Sequence, residues 1–193
     1  MPRPSLKETR STELLEAFER CVARYGLDGS TLERISEEAA VGRPLLRHYL
    51  GNRDEMVSAL LDHILMKFDH LNEALVADLP KAGRFEALLE RLFNDPTHEA
   101  DNAAVFQALV AASDRYEGMA ERLIRFVTTF EAILTKELSL WAPKAKLSDC
   151  QIAASGITSI YFNTDGLAPL KPSEAWKKKQ RQAAQWLIDR LQS

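Results

Sequence analysis

The apolar residues of this chain recur at spacings of three and four from one end to the other, and that period is what most limits its fold. The eight glycines and eight prolines fall almost entirely between the amphipathic segments, and no alternating β-branched run competes with them. The expected fold class is all-α. No repeat of ~20 to 50 residues is visible, which disfavours a helical solenoid. At 193 residues, 46% of them hydrophobic, the chain can bury a sizeable core.

A first helix is expected over residues 12–25, with Leu14, Ala17, Phe18, Cys21, Val22 and Tyr25 on one face and Gly26 as its stop. A second opens at "STLE", where Ser30 and Glu33 have capping-box spacing, and buries Leu32, Ile35 and Ala39. After the turn "AAVG" comes a short third helix over 43–50, in which Pro44 is tolerated because first-turn amides lack intrahelical partners. Leu46 and Leu50 face inward. "GNRDE" ends it and opens a fourth helix, with Asn52 and Glu55 again at capping-box spacing. That helix carries Met56, Val57, Leu60, Ile64, Phe68, Leu71 and Leu75 along one stripe over residues 53–76.

Further helices are expected over 84–93 (Phe85, Leu88, Leu89, Leu92) and, past the polar break "NDPTHEADN", over 103–113 (Phe106, Leu109, Val110). A long one with Met119, Leu123, Val127, Phe130, Leu134 and Leu138 ends at Trp141, before Pro143. The last two span 148–162 and 173–191.

The N-terminal stretch turns acidic and amphipathic at once, without the apolar centre of a signal peptide, and no run is long enough to span a membrane. A cytoplasmic location is expected. Cys21 and Cys150 lie far apart with no CxxC spacing and read as small core hydrophobes.

Against a formal net charge of -3, the stretch "VGRPLLRHYLGNR" places Arg43, Arg47, His48 and Arg53 close together, with no acid between Glu38 and Asp54. Three short helices, the second and third joined by a tight turn, make a helix-turn-helix. Packing Leu32, Ile35, Val41 and Leu46 against the first helix leaves Arg43, Leu45, Arg47 and His48 on the outer face of the third. Such a helix fits the major groove of B-DNA with its N-terminal residues at base edges. Arg43, at the leading end, is the candidate for bidentate contact with guanine. Thr31 can present hydroxyl and amide to a phosphate at the start of the second helix, and Tyr49 and Arg53 are expected on the sugar-phosphate chain.

The block from Glu13 to Leu61, above all "YGLDGSTLERISEEAAVGRPLLRHYLGNRDEMVSALL", resembles the DNA-binding region of TetR-type transcriptional regulators. Gly26, Thr31, Ile35, Val41, His48, Tyr49 and Arg53 match that pattern position by position. Several residues depart from it. Ala40 stands where the family usually has glycine, at a cost of about 1 kcal/mol if its backbone is left-handed. Gly42 replaces the usual serine cap, and Leu45 and Arg47 stand where threonine and tyrosine are common. Leu45 can touch a thymine methyl, and Arg47 a phosphate or a base.

The resemblance implies a DNA-binding domain over residues 1–52 and a helical regulatory and dimerisation domain over 53–193. It implies a ligand-responsive regulator, expected to be a repressor, acting on a palindromic operator in double-stranded DNA. Such an operator is read by a two-fold dimer with recognition helices about 34 to 36 Å apart. The small residues Ala153 and Gly156 with Ile160, and Ala183, Leu187 and Leu191 on the last helix, are the candidate homodimer interface. The resemblance also implies a small-molecule effector cavity in the helical body, for which Phe106, Phe126, Phe130 and Trp141 are candidate lining residues, each of which can equally be solid core.

Asp62, His63, Asp69 and His70 share a helix, but imidazoles about two turns apart do not chelate one ion unaided, so neither metal nor cofactor is expected. No phosphate-cradling glycine loop, HExxH or nucleophile elbow is present, which argues against an enzyme. The alternative function is a helical protein-interaction module that keeps the helix-turn-helix shape without affinity for DNA.

Overall fold

The structure, a computed structural model, describes residues 6–77, 79–94 and 100–192. Its helices are α1 (Leu6–Gly29), α2 (Leu32–Glu38), α3 (Arg43–Leu50), α4 (Arg53–Ala77), α5 (Arg84–Asn94), α6 (Ala100–Ala111), α7 (Met119–Trp141), α8 (Leu147–Gly166) and α9 (Glu174–Asp189). Single 3-10 turns follow α8 and α9. The all-α expectation holds, with no strand among the described residues. No helix is long and apolar enough to cross a membrane.

The chain divides into two compact units, Met1–Asp69 with Asp101–Arg122, and His70–Ala100 with Leu123–Ser193. In the first, Leu14, Ala17, Phe18, Cys21 and Val22 of α1 are buried together with Ile35 of α2, Leu46 and Leu50 of α3, and Met56, Val57 and Leu60 of α4. These are the apolar stripes of four amphipathic segments, and their burial supplies the stabilisation that helices as short as α2 and α3 cannot draw from propensity. Two ionic clamps reinforce the packing. Glu38 of α2 accepts from Arg20 Nε at 2.6 Å and Arg24 Nη1 at 2.9 Å on α1. Glu19 of α1 is buried, accepts from Lys67 Nζ at 2.7 Å, and lies 3.3 Å from His63 Nε2, both on α4.

In the second unit Phe85, Leu88, Leu89 and Leu92 of α5 share a core with Phe130, Leu134 and Leu138 of α7, Ile157 of α8 and Ile188 of α9. Glu137 is a buried charge within it, and its two oxygens accept from Arg84 Nε at 2.6 Å and Nη2 at 3.0 Å. Arg84 also donates to the Leu79 and Val76 carbonyls. The fork therefore leaves neither charge unsatisfied, the condition under which a buried ion pair is tolerable. Cys21 and Cys150 are both buried and free.

Several sequence expectations are displaced. Tyr25 is 49% exposed, its ring lying 4.5 Å beneath the Arg34 guanidinium, because the chain leaves helical geometry at Gly26 (φ 69°, ψ 173°) and the next buried residue is Leu27. Leu71 is exposed, and the stripe through Leu60, Ile64 and Phe68 continues at the fourth residue on, which is Asn72. On α6 Val110 is exposed while Ala103, Val105 and Leu109 are buried, as is Ala112 just after the helix. Of the break "NDPTHEADN", residues 95–99 lie outside the described residues.

Candidate nucleic-acid interface

The surface that would meet DNA is built from the α2–α3 joint. α2 is capped at its N-terminus by Thr31, whose Oγ1 accepts from the Arg34 amide at 3.3 Å. The cap is therefore one residue later than the Ser30–Glu33 box read from the sequence: Ser30 is buried and its hydroxyl donates to the Gly26 carbonyl at 2.7 Å. At the other end the Ala40 amide donates to Glu37 O at 3.1 Å and the Val41 amide to Ser36 O at 2.9 Å. Those two bonds make a Schellman motif, which needs a left-handed residue at its corner. Ala40 fills that corner with φ 52°. The turn forms without glycine, at the strain an L-residue carries there.

α3 spans the residues expected of it. Its N-cap is Gly42, which offers no side-chain acceptor, and Pro44 follows in the first turn. Leu46 and Leu50 are buried, whereas Arg43, Leu45, Arg47 and His48 are exposed. Tyr49 is half-buried and meets the His48 ring edge-on at 5.2 Å. Arg43 Nη2 donates to Glu33 Oε1 at 3.0 Å across the turn, a pair the sequence reading missed because a contact that crosses a turn leaves no periodic signal.

The corner after α3 is fixed by Gly51, at φ 79° and ψ −149°, a region essentially closed to other residues. Asn52 Oδ1 accepts from the Asp54 and Glu55 amides at 3.0 Å, and the Asn52 amide donates to Glu55 Oε2 at 2.7 Å, which is the expected capping box.

Arg53 is placed differently from its expected role on the sugar-phosphate chain. Its Nη1 donates to Ser30 O at 2.8 Å, its Nη2 to Leu27 O at 2.5 Å, and its guanidinium lies 5.2 Å from the Phe18 ring centre. The fork ties the start of α4 to the link between α1 and α2, positioning Thr31 rather than reaching outward.

Elsewhere the structure separates what the sequence grouped. Phe130 stacks on Tyr161 at 5.5 Å and meets Phe162 at 5.8 Å, and Phe126 meets Phe162 at 6.2 Å. Trp141 instead packs near Phe85 and donates from Nε1 to Glu86 Oε1 at 3.4 Å. Phe106 belongs to the other unit, beside Phe68.

Ala153 is buried in the chain's own core, and a Cβ on Gly156 would come within 2.6 Å of Leu187 Cδ1. The small-residue stripe thus seats α9 of the same chain on α8, with Ile160, Leu187 and Leu191 half-buried at its margin and Ala183 exposed. On the same two helices Ile152 is 70% exposed and Trp186, beneath Arg190, is 59% exposed. Asp62 pairs with Arg122 and His63 with Glu19. Among the described residues no group of three His, Cys, Asp or Glu is placed to hold a metal ion.

A helix-turn-helix ahead of an all-helical body is the fold of the TetR-type regulators. No protein-family model matches the chain. Its sequence is similar to the HTH-type transcriptional regulator BetI of Burkholderia mallei (strain NCTC 10229), 28% identical over 171 residues that cover 86% of this chain and 84% of that protein. The regulator of the same name from Burkholderia ambifaria (strain MC40-6) is 26% identical over 170 residues, with the same coverage of 86% and 84%. Its structure is similar to that of a TetR family transcriptional regulator from Cytophaga hutchinsonii, with a TM-score of 0.78 at 13% identity, covering 97% of both chains. A TetR transcription regulator from Haloarcula marismortui gives a TM-score of 0.76 at 17% identity, covering 94% of this chain and 97% of that one. The resemblance to the TetR-type family read from the sequence is borne out.

Proposed function

We propose that this chain is a ligand-responsive, DNA-binding transcriptional repressor that reads a palindromic operator as a homodimer. The observation that carries the reading is the outward face of α3: Arg43, Leu45, Arg47 and His48 all reach solvent from a helix whose other side is anchored by Leu46 and Leu50. Burying apolar residues on one side while displaying cations on the other is what insertion into a major groove requires. Thr31, exposed at the start of α2, and Tyr49 serve the phosphate chain.

In this reading residues 1–52 read DNA and residues 53–193 regulate and dimerise. The exposed face of α8 and α9, with Ile152, Ala183 and Trp186, meets a second copy. The aromatic group of Phe126, Phe130, Tyr161 and Phe162 suits an apolar or planar effector, which acts by preferring a state whose reading helices do not fit the operator. Selection of bound duplexes from a random pool tests the reading: two inverted half-sites with about one helical turn between their centres are expected, with affinity falling steeply as salt rises. Arg43→Ala should relax preference at one position of each half-site. A protein that enriches no duplex at low salt refutes the proposal.

A further inference from the structure

The pair between Arg43 and Glu33 bears on how a reading arginine is held. We propose that Glu33 is a positioning residue that sets base specificity: it takes one edge of the Arg43 guanidinium and leaves the other edge to a guanine. The inference rests on the DNA-reading role of α3 proposed above.

Arg43 is the first residue of α3, and its Cα–Cβ bond tilts toward the helix N-terminus, away from the rest of the helix. Its neighbours give it little to lean on, since Gly42 has no side chain and Pro44 no amide hydrogen. A long arginine left free there would lose about 2 kcal/mol of rotamer entropy on docking. Glu33 supplies the restraint from the preceding helix, through one bond at 3.0 Å to Nη2. A guanidinium has five N–H donors, so one bond to a carboxylate is compatible with two more to guanine O6 and N7.

The pair is exposed, at 60% and 61% for the two side chains, and in water contributes little to stability. Its value would lie in the groove, where excluded water strengthens it. The same geometry carries a cost in affinity. A carboxylate at the front of the reading face repels phosphates and cancels one of the cations offered to them. Glu33 therefore exchanges general DNA affinity for selectivity at one base pair.

Glu33→Gln keeps the shape and removes the charge. The test compares wild-type protein, Glu33→Gln, Arg43→Ala and the double variant by selection from a random duplex pool. Affinities for selected and scrambled duplexes follow across a salt series, with thermal melting as a check on folding. Glu33→Gln should bind scrambled DNA several-fold more tightly, with a salt slope steeper by about one. It should lose about tenfold of the preference for guanine at one position of each half-site, the low end of what a bidentate contact supplies. On the Arg43→Ala background the same substitution should leave base preference unchanged, as coupling through one contact demands. A merely structural role would lower the melting temperature and weaken all positions alike, and that result overturns the inference. So does a Glu33→Gln protein whose base preference matches wild type. Wild-type protein that selects no duplex overturns the DNA-reading role and this inference together, whereas selection by wild type with no change on Glu33→Gln overturns the inference alone.

Discussion

α3 and the α8–α9 pair were both read from the sequence as surfaces for a partner, and the structure treats them oppositely. On α3 the residues assigned outward are outward, from Arg43 to His48. On α8 the small residues assigned to a second copy are consumed within the chain, where Ala153 is buried and Gly156 lies against Leu187, while Ala183 of α9 stays exposed. The difference is one of desolvation. A cation announces its exposure because burying it unpaired is prohibitive, while an alanine or glycine stripe admits a close helix from either the same chain or another.

The largest expected effect comes from the α8–α9 side of that contrast. If the outer face meets a second copy, Trp186→Glu should raise the dimer dissociation constant about thirtyfold or more, as loss of a central aromatic anchor does, with helicity intact. Sedimentation that shows an unchanged dimer would move the interface elsewhere. Arg53→Ala should cost about 2 kcal/mol, because the Leu27 and Ser30 carbonyls lose a charged donor, and lower the melting temperature by roughly 5 °C. An unchanged melting temperature with a flatter salt slope would instead restore Arg53 to the phosphate chain. A smaller change, of opposite sign, is expected at the turn: Ala40→Gly should stabilise by about 1 kcal/mol in a denaturant series, by relieving the left-handed alanine.

The smallest effect is a pH dependence in the α1–α4 clamp. Burial alone would raise the Glu19 carboxyl, but hydrogen bonds and charges from His63 and Lys67 outweigh it and hold the group below its ordinary value of 4.5. A depressed acid binds fewer protons folded than unfolded, so its contribution is fully present above 4.5 and is lost as pH falls through the lowered folded value. Glu19→Gln should therefore flatten the stability profile in that acidic window and leave the profile near neutrality parallel to wild type.

Most of the fold was legible because amphipathic period and stop signals coincide: α3 and α7 begin and end where Pro44, Gly51, Met119 and Pro143 suggested. The exposed set on α3 was legible for the desolvation reason above. What escaped depended on three-dimensional closure. Ser30 and Thr31 are both good caps, and only the bend at Gly26, which draws the Ser30 hydroxyl onto its own carbonyl, decides between them. Arg53 sits in a cationic run, yet its fork closes on carbonyls 23 and 26 residues earlier in the chain. Aromatic spacing likewise said nothing of partners, so Phe106 and Phe130 were grouped although they belong to different units.

The corner at Gly51 also governs how this chain can diversify. A methyl group there would sit 2.1 Å from Glu55 Oε2, displacing the carboxylate that closes the next helix, while the backbone itself excludes side chains. In a library of random variants that position should stay invariant, even as codons 45, 47 and 48 a few residues upstream drift freely without loss of folded protein. If α3 reads DNA as proposed, a change of target sequence would come through side chains carried on a hinge that cannot change.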